Sequence, residues 1–162
     1  MSSEPAVNAT PDSGATPDST VLYLEKLWPT PGIWLIVLGL SAAGILMFIP
    51  ISTFAGYAAA VIMLVIQVVA LLWSTPTIKV TRESLQVGRA HIERSFVGDV
   101  TAYRDAEAMA QRGPRLNGLA FLCLRGWIQH VVRIEITDPA DPTPYWLASS
   151  RRPEQLAKAL RS

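Results

Sequence analysis

The chain has 162 residues, enough for one small domain besides a long apolar block, and its net charge is +1. Its longest run of like charge is Arg151-Arg152, too little for a nucleic-acid surface. Its single cysteine, Cys123, excludes an internal disulfide and a cysteine-rich metal centre.

Residues 1–20 are rich in Ser, Thr, Pro, Ala and Asp, with Thr-Pro-Asp-Ser at Thr10–Ser13 and again at Thr16–Ser19. Such a composition buries no core, so a disordered spacer tail is expected. Val21–Trp28 mixes apolar residues with Glu25 and Lys26 and reads as a short interfacial helix, before Pro29 and Pro31 break the chain.

Ile33–Trp73 holds 41 residues without an Asp, Glu, Lys, Arg or His. Two apolar runs, Ile33–Ile49 and Tyr57–Trp73, flank the connection Pro50–Gly56. As helices, the runs reach about 25 Å each, close to the hydrocarbon thickness of a bilayer. The first has ten Leu, Ile, Val or Phe residues and the second nine. Each therefore gains roughly 3–6 kcal/mol on insertion, and no charge opposes it. In lipid only a helix satisfies its own backbone, so residues 21–76 are expected to be an interfacial segment and a two-helix transmembrane hairpin. Trp28, Trp34 and Trp73 would mark one interface, Tyr57 with Phe48 and Phe54 the other. Gly39 with Ala43, and Gly56 with Ala60, have the spacing that lets helices approach closely, either within the hairpin or in a homodimer. Gln67 is the one strongly polar mid-span side chain and is expected to hydrogen-bond between helices.

Charge orients the hairpin. Residues 1–32 sum to −3 and residues 77–162 to +4, with Lys79, Arg82 and Arg89 close behind the second helix. The positive-inside rule puts both termini in the cytoplasm, at the inner membrane.

Residues 77–162 read as a β-rich domain. Thr77–Arg82 alternates, a turn follows near Glu83-Ser84, Leu85–Val87 alternates again, and Gly88 marks another turn. His91-Ile92 and Phe96–Tyr103 continue the pattern, with an irregularity at Gly98. Asp105 is the expected N-cap of a helix over Ala106–Gln111 that stops at Gly113-Pro114. Leu119–Leu124, Val131–Thr137 and Tyr145–Ser149 read as strands, the last with one of Tyr145 and Trp146 facing the core and the other the surface or the bilayer. Asp138–Pro144 must be a tight connection. A closing helix begins at Pro153, with Glu154 at its positive end and paired to Lys158. The expected fold is an α+β membrane protein: an N-terminal transmembrane helical hairpin, then a small, mostly-β, pleckstrin-homology-like domain with a C-terminal helix.

Chemistry-bearing motifs are sparse. His91-Ile92-Glu93 has the His-x-Glu of zinc deaminases but lacks the cysteine pair. No nucleophile elbow, phosphate loop or dinucleotide fingerprint is present. No catalytic residue, metal or cofactor is assigned, and an enzyme would need a deep polar pocket at His91 or His130. Arg151 and Arg152 stand before a helix N-terminus, where an anionic headgroup or phosphate could dock with Arg82, Arg89 or Arg94. Trp127 with His130 sits in a turn that could touch headgroups or equally fill the mouth of the barrel. The expected function is a non-enzymatic, membrane-anchored module that binds a protein partner or anionic lipid. The alternative is an accessory subunit acting through its helices.

Arg125-Gly126-Trp127, Val131–Thr137, Asp138–Leu147 and Ser150–Glu154 resemble an actinobacterial family of small membrane proteins of unknown function, sometimes labelled alanine-rich transmembrane proteins. Tyr23–Pro29 and the hairpin resemble it too, so the likeness covers roughly residues 21–161. Family members usually carry Pro where this chain has Gly126. The resemblance implies an inner-membrane protein with a cytoplasmic domain and supplies no activity or catalytic residue. The layout is also similar to bacterial proteins whose pleckstrin-homology-like domain follows two helices.

Overall fold

The structure, a computed structural model, describes residues 21–162; the expected tail lies outside them. The first element corrects the expected interfacial helix. Tyr23–Lys26 is a strand, β1, because Tyr23, Glu25 and Leu27 alternate with Leu24 and Lys26 and Pro29 leaves no room for a helix.

Two apolar helices follow. Helix α1 spans Pro31–Phe48, with proline at its first position, and ends where Pro50 cannot continue it. Helix α2 spans Thr53–Trp73. It starts four residues before the expected Tyr57 because Ser52 caps it, its hydroxyl accepting from the Ala55 amide at 3.0 Å. Along their axes the helices measure about 27 and 31 Å. Between them only Val37, Ser41, Gly44 and Gly56 are buried. Most large apolar side chains face outward, up to Phe54 and Trp73 at 83% and 85% exposed.

The remaining strands are β2 (Thr77–Val80), β3 (Ser84–Val87), β4 (Ala90–Glu93), β5 (Val97–Tyr103), β6 (Phe121–Cys123), β7 (Val131–Ile136) and β8 (Tyr145–Ser149). Helix α3 is Asp105–Arg112 and helix α4 is Pro153–Arg161. One antiparallel sheet has the order β1-β2-β3-β4; the other has the order β5-β7-β8-β6, with β6 parallel to β8. A register shift between Val97 and Val100 brackets the expected irregularity at Gly98. Arg104, not Asp105, occupies the cap of α3, and Asp105 is its first residue with φ +45°.

The main core lies between the sheets and α4: Ile78, Val80, Leu85 and Val87 meet Val132, Ile134 and Leu156. Leu27 joins this core from before the hairpin, fully buried. A second cluster, Ala108, Val131, Tyr145 and Leu147, fills the other face of the second sheet. Strand β8 is therefore covered on both faces, which corrects the expectation that one of its aromatics is exposed: Tyr145 and Trp146 are 3% and 5% exposed. The Tyr145 hydroxyl accepts from the Asn117 amide at 2.7 Å.

Because β1 precedes the hairpin and β2 follows it, and the two pair along Tyr23↔Val80 to Lys26↔Thr77, the β unit does not begin at Thr77. The helices are an insertion between two neighbouring strands. The β unit thus has a near end, carrying Lys26, Thr77 and the β3–β4 turn, and a far end, carrying the β2–β3 turn.

Candidate functional site

The near end is where the helices join the sheets. Leu27–Thr30 and Ser74–Pro76 are the two linkers, tied to each other by the Leu27 amide donating to the Pro76 carbonyl at 3.1 Å. Three side chains of the second half of the chain hold their carbonyls. Arg125 donates to Ser74 O, Arg151 to Trp28 O, and the Trp127 indole N–H to Leu27 O at 3.4 Å.

Beside this clamp lies a half-buried polar node. Glu25 accepts from the Tyr23 hydroxyl at 2.6 Å, the Ser150 hydroxyl at 2.6 Å and the Arg151 amide at 2.8 Å. Burial pushes the Tyr23 phenol up, and donation to Glu25 adds to the shift. Next along β8, the Ser149 hydroxyl accepts from the Arg125 amide and the Arg112 guanidinium, each at 3.0 Å. Arg112 also reaches Ile128 O, and burial lowers its pKa. Outside the node, the Arg104 guanidinium grips both Glu154 oxygens and holds that carboxyl down at about 2.

The five arginines expected to gather at one anion site do not. Arg151 serves Trp28, with Arg152 beside it at the N-terminus of α4. Arg94 is at the other end of α4, donating to Ala159 O at 3.0 Å and Leu160 O at 2.9 Å. Arg82 lies with Arg94 and Arg161 at the far end. Arg89 stands in the β3–β4 turn at the near end, on a cleft of about 450 Å³ between that turn, β6 and the end of α2. Glu154 is taken by Arg104 rather than by the expected Lys158.

Among the expected interface aromatics, Trp28, Trp34 and Trp73 share the near end of the hairpin, while Tyr57 sits in the first turn of α2 at the opposite end. Lys26 Nζ lies 4.4 Å from the centre of the Trp28 ring. Helix packing differs from expectation on α1. Gly44, not Gly39, meets α2: a Cβ there would lie 3.0 Å from Met63 Sδ. Gly39 and Ala43 are exposed, with nothing within 4 Å of a Cβ at Gly39. The helices touch along Val37, Ser41 and Gly44, which places the pair one helical face away. Gly56 does meet α1: a Cβ there would lie 3.2 Å from Ile45 O, and Ala60 lies beside Gly44. Gln67 is half-buried and makes no hydrogen bond among the described residues; the buried hydroxyl of Ser41 instead donates to Val37 O at 2.8 Å within its own helix.

The histidines do not converge. His91 and Glu93 share the exposed face of β4, and no third metal-ligand type joins them among the described residues. His130 is half-buried near the β6–β7 connection, its Nδ1 unpartnered.

A family model described as "Protein of unknown function (DUF3093)" matches residues 22–160. The chain belongs to that family. The DUF3093 match begins within a residue of β1 and ends in α4, so it takes in the hairpin and both of its flanking strands. Neither the curated proteins nor the solved structures give a match to this DUF3093 member.

The near-end residues that sequence reasoning passed over are Glu25, Arg112, Arg125, Ser149 and Ser150. A charged residue alternating with Tyr23 and Leu27 just before the apolar block was the available signal for Glu25. The serine pair between a strand and a proline-started helix was the other.

Proposed function

We propose that this DUF3093 member is a membrane-anchored, non-enzymatic interaction module, with its hairpin in the inner membrane and its β unit at the cytoplasmic face. The observation that carries the reading is the outward-facing apolar surface of α1 and α2, joined at one end only to a folded β unit. An apolar surface of that extent is unstable against water and stable in lipid. Pairing of β1 with β2 supports an even number of spans, since both ends of the hairpin return to one sheet. The near end carries Lys26, Arg89, Arg125, Arg151 and Arg152, which supports the cytoplasmic side by the positive-inside rule. Two sheets closed by a C-terminal helix support a pleckstrin-homology-like plan, to which α3 and the parallel β6 are additions.

Membrane fractionation with alkaline carbonate washing tests the anchor: the chain stays in the pellet, and release into the wash sinks the reading. A C-terminal reporter fusion active only in the cytoplasm tests the orientation. A second reading, an accessory subunit of a membrane complex, draws support from exposed Gly39 and Ala43 on the outer face of α1, where another helix could approach closely. Partners lost on Gly39→Leu, with the chain still in the membrane, would favour it.

A further inference from the structure

We propose that the near-end cleft binds the phosphate of an anionic phospholipid, with Arg89 as the contacting side chain. The inference rests on the membrane reading above and adds the ligand class and its site. The cleft is lined by the last residues of α2 and their linker, the β3–β4 turn and β6. Two arginines, Arg89 and Arg125, face it, and no Asp or Glu does.

The two arginines are spent differently. Arg125 uses its terminal nitrogens on Ser74 O and Leu124 O, and its buried Nε has no partner. Arg89 is exposed and makes no hydrogen bond or ion pair among the described residues. A helix C-terminus would normally repel an anion. Here the Ser74 amide and hydroxyl and the Thr75 hydroxyl cover the carbonyls of Ala70 and Leu71, and Arg125 covers that of Ser74. The positive charge of the cleft is therefore not cancelled by the helix end.

The rim points to a lipid rather than to free phosphate. Trp73 and Leu122 line the cleft exposed, and Trp73 continues the outward apolar face of α2. Acyl chains can lie along that face while the phosphate meets Arg89. The turn holding Arg89 is fixed in place: Gly88 has φ +63°, and a Cβ there would lie 3.3 Å from Pro76 Cβ and 3.5 Å from Cys123 Sγ. The other arginine groups are less suited. Arg94 and Arg161 are committed to carbonyls, and Arg151 and Arg152 share their depression with Glu25.

The test uses the full chain in neutral detergent micelles, with the thermal midpoint followed by circular dichroism. Phosphatidylglycerol, phosphatidylcholine and inorganic phosphate are titrated separately. Phosphatidylglycerol is expected to raise the midpoint and the other two to leave it unchanged. Arg89→Gln should raise the half-saturating phosphatidylglycerol fraction about fivefold, the worth of one arginine near an anionic surface. Arg82→Gln, the same charge change at the far end, should leave it unaltered. An absent phosphatidylglycerol shift, or one insensitive to Arg89→Gln, overturns the site. An equal, Arg89-dependent shift with inorganic phosphate overturns the lipid as the source. A chain washed from membranes by carbonate sinks the underlying reading instead, so the two failures are distinguishable.

Discussion

The hairpin and the β unit are both rich in apolar residues, yet they use them in opposite directions. In the β unit Leu85, Ile134 and Leu156 are sealed between two sheets and α4. In the hairpin Leu46, Met47 and Phe54 point away from the protein, and the helices meet through Gly44, Gly56 and Ser41. Composition alone therefore does not tell a core from a coat. The contrast predicts which substitutions each region tolerates, and it can be broken in graded steps.

The largest effect should come from cutting where the composition changes. A fragment of residues 77–162 loses β1, the buried Leu27 and the Glu25 node at once. Those losses rival a small domain's whole stability of about 5–15 kcal/mol. The fragment should therefore lack a cooperative thermal transition, whereas residues 21–30 joined by a short linker to residues 75–162 should keep one. A well-folded 77–162 fragment would mean that the helices are an appendage rather than an insertion.

Paired leucine truncations come next. Leu85→Ala, at a fully buried site, should cost about 2–5 kcal/mol. Leu46→Ala, facing outward, should stay within about 0.5 kcal/mol by denaturant unfolding in micelles. Similar costs at both sites would erase the distinction between the regions.

Glu25→Gln tests the seam itself. It weakens charge-assisted bonds from Ser150 and the Arg151 amide, at about 1–3 kcal/mol in the same assay. Loss of helix packing without loss of β structure would show that the seam serves the hairpin alone.

The smallest effect is confined to the surface of the β unit. Glu154, held at about 2 by Arg104 against an ordinary value of 4.5, favours the folded state. Since its folded pKa is depressed, that contribution is present above about pH 4.5 and fades as pH falls toward 2. Both side chains are exposed, so the slope should be shallow, and Glu154→Gln should remove it from a pH series of thermal midpoints.

Local pattern made much of the fold legible. Alternation located β2, β3, β7 and β8, and Pro153 marked the start of α4. Apolar length marked both helices, with the Ser52 cap shifting one start. What stayed hidden depended on distant partners. Val21–Trp28 has no strand signal strong enough to announce a mate beyond 50 uncharged residues. Tyr145 and Trp146 look half-exposed until α3 and the segment before β6 fold over the first and the facing sheet covers the second. Nothing in the sequence separates the basic residues in space, and the sheet sends Arg82 and Arg89 beyond opposite ends of one four-residue strand. Glu25 and Ser150 become a pair only because a helical insertion returns the chain to its starting point.

The pairing of β1 with β2 also sets a schedule. Tyr23 and its partner Val80 are 57 positions apart, and every residue of the hairpin is made between them. At about 5–20 residues per second, β1 is made roughly 3–11 seconds before its mate exists. The first sheet cannot close while the hairpin is still being synthesised, so its closure follows the helices in time. Completion of the β unit is thereby ordered by the chain itself: the domain can mature only after the whole apolar segment has been made.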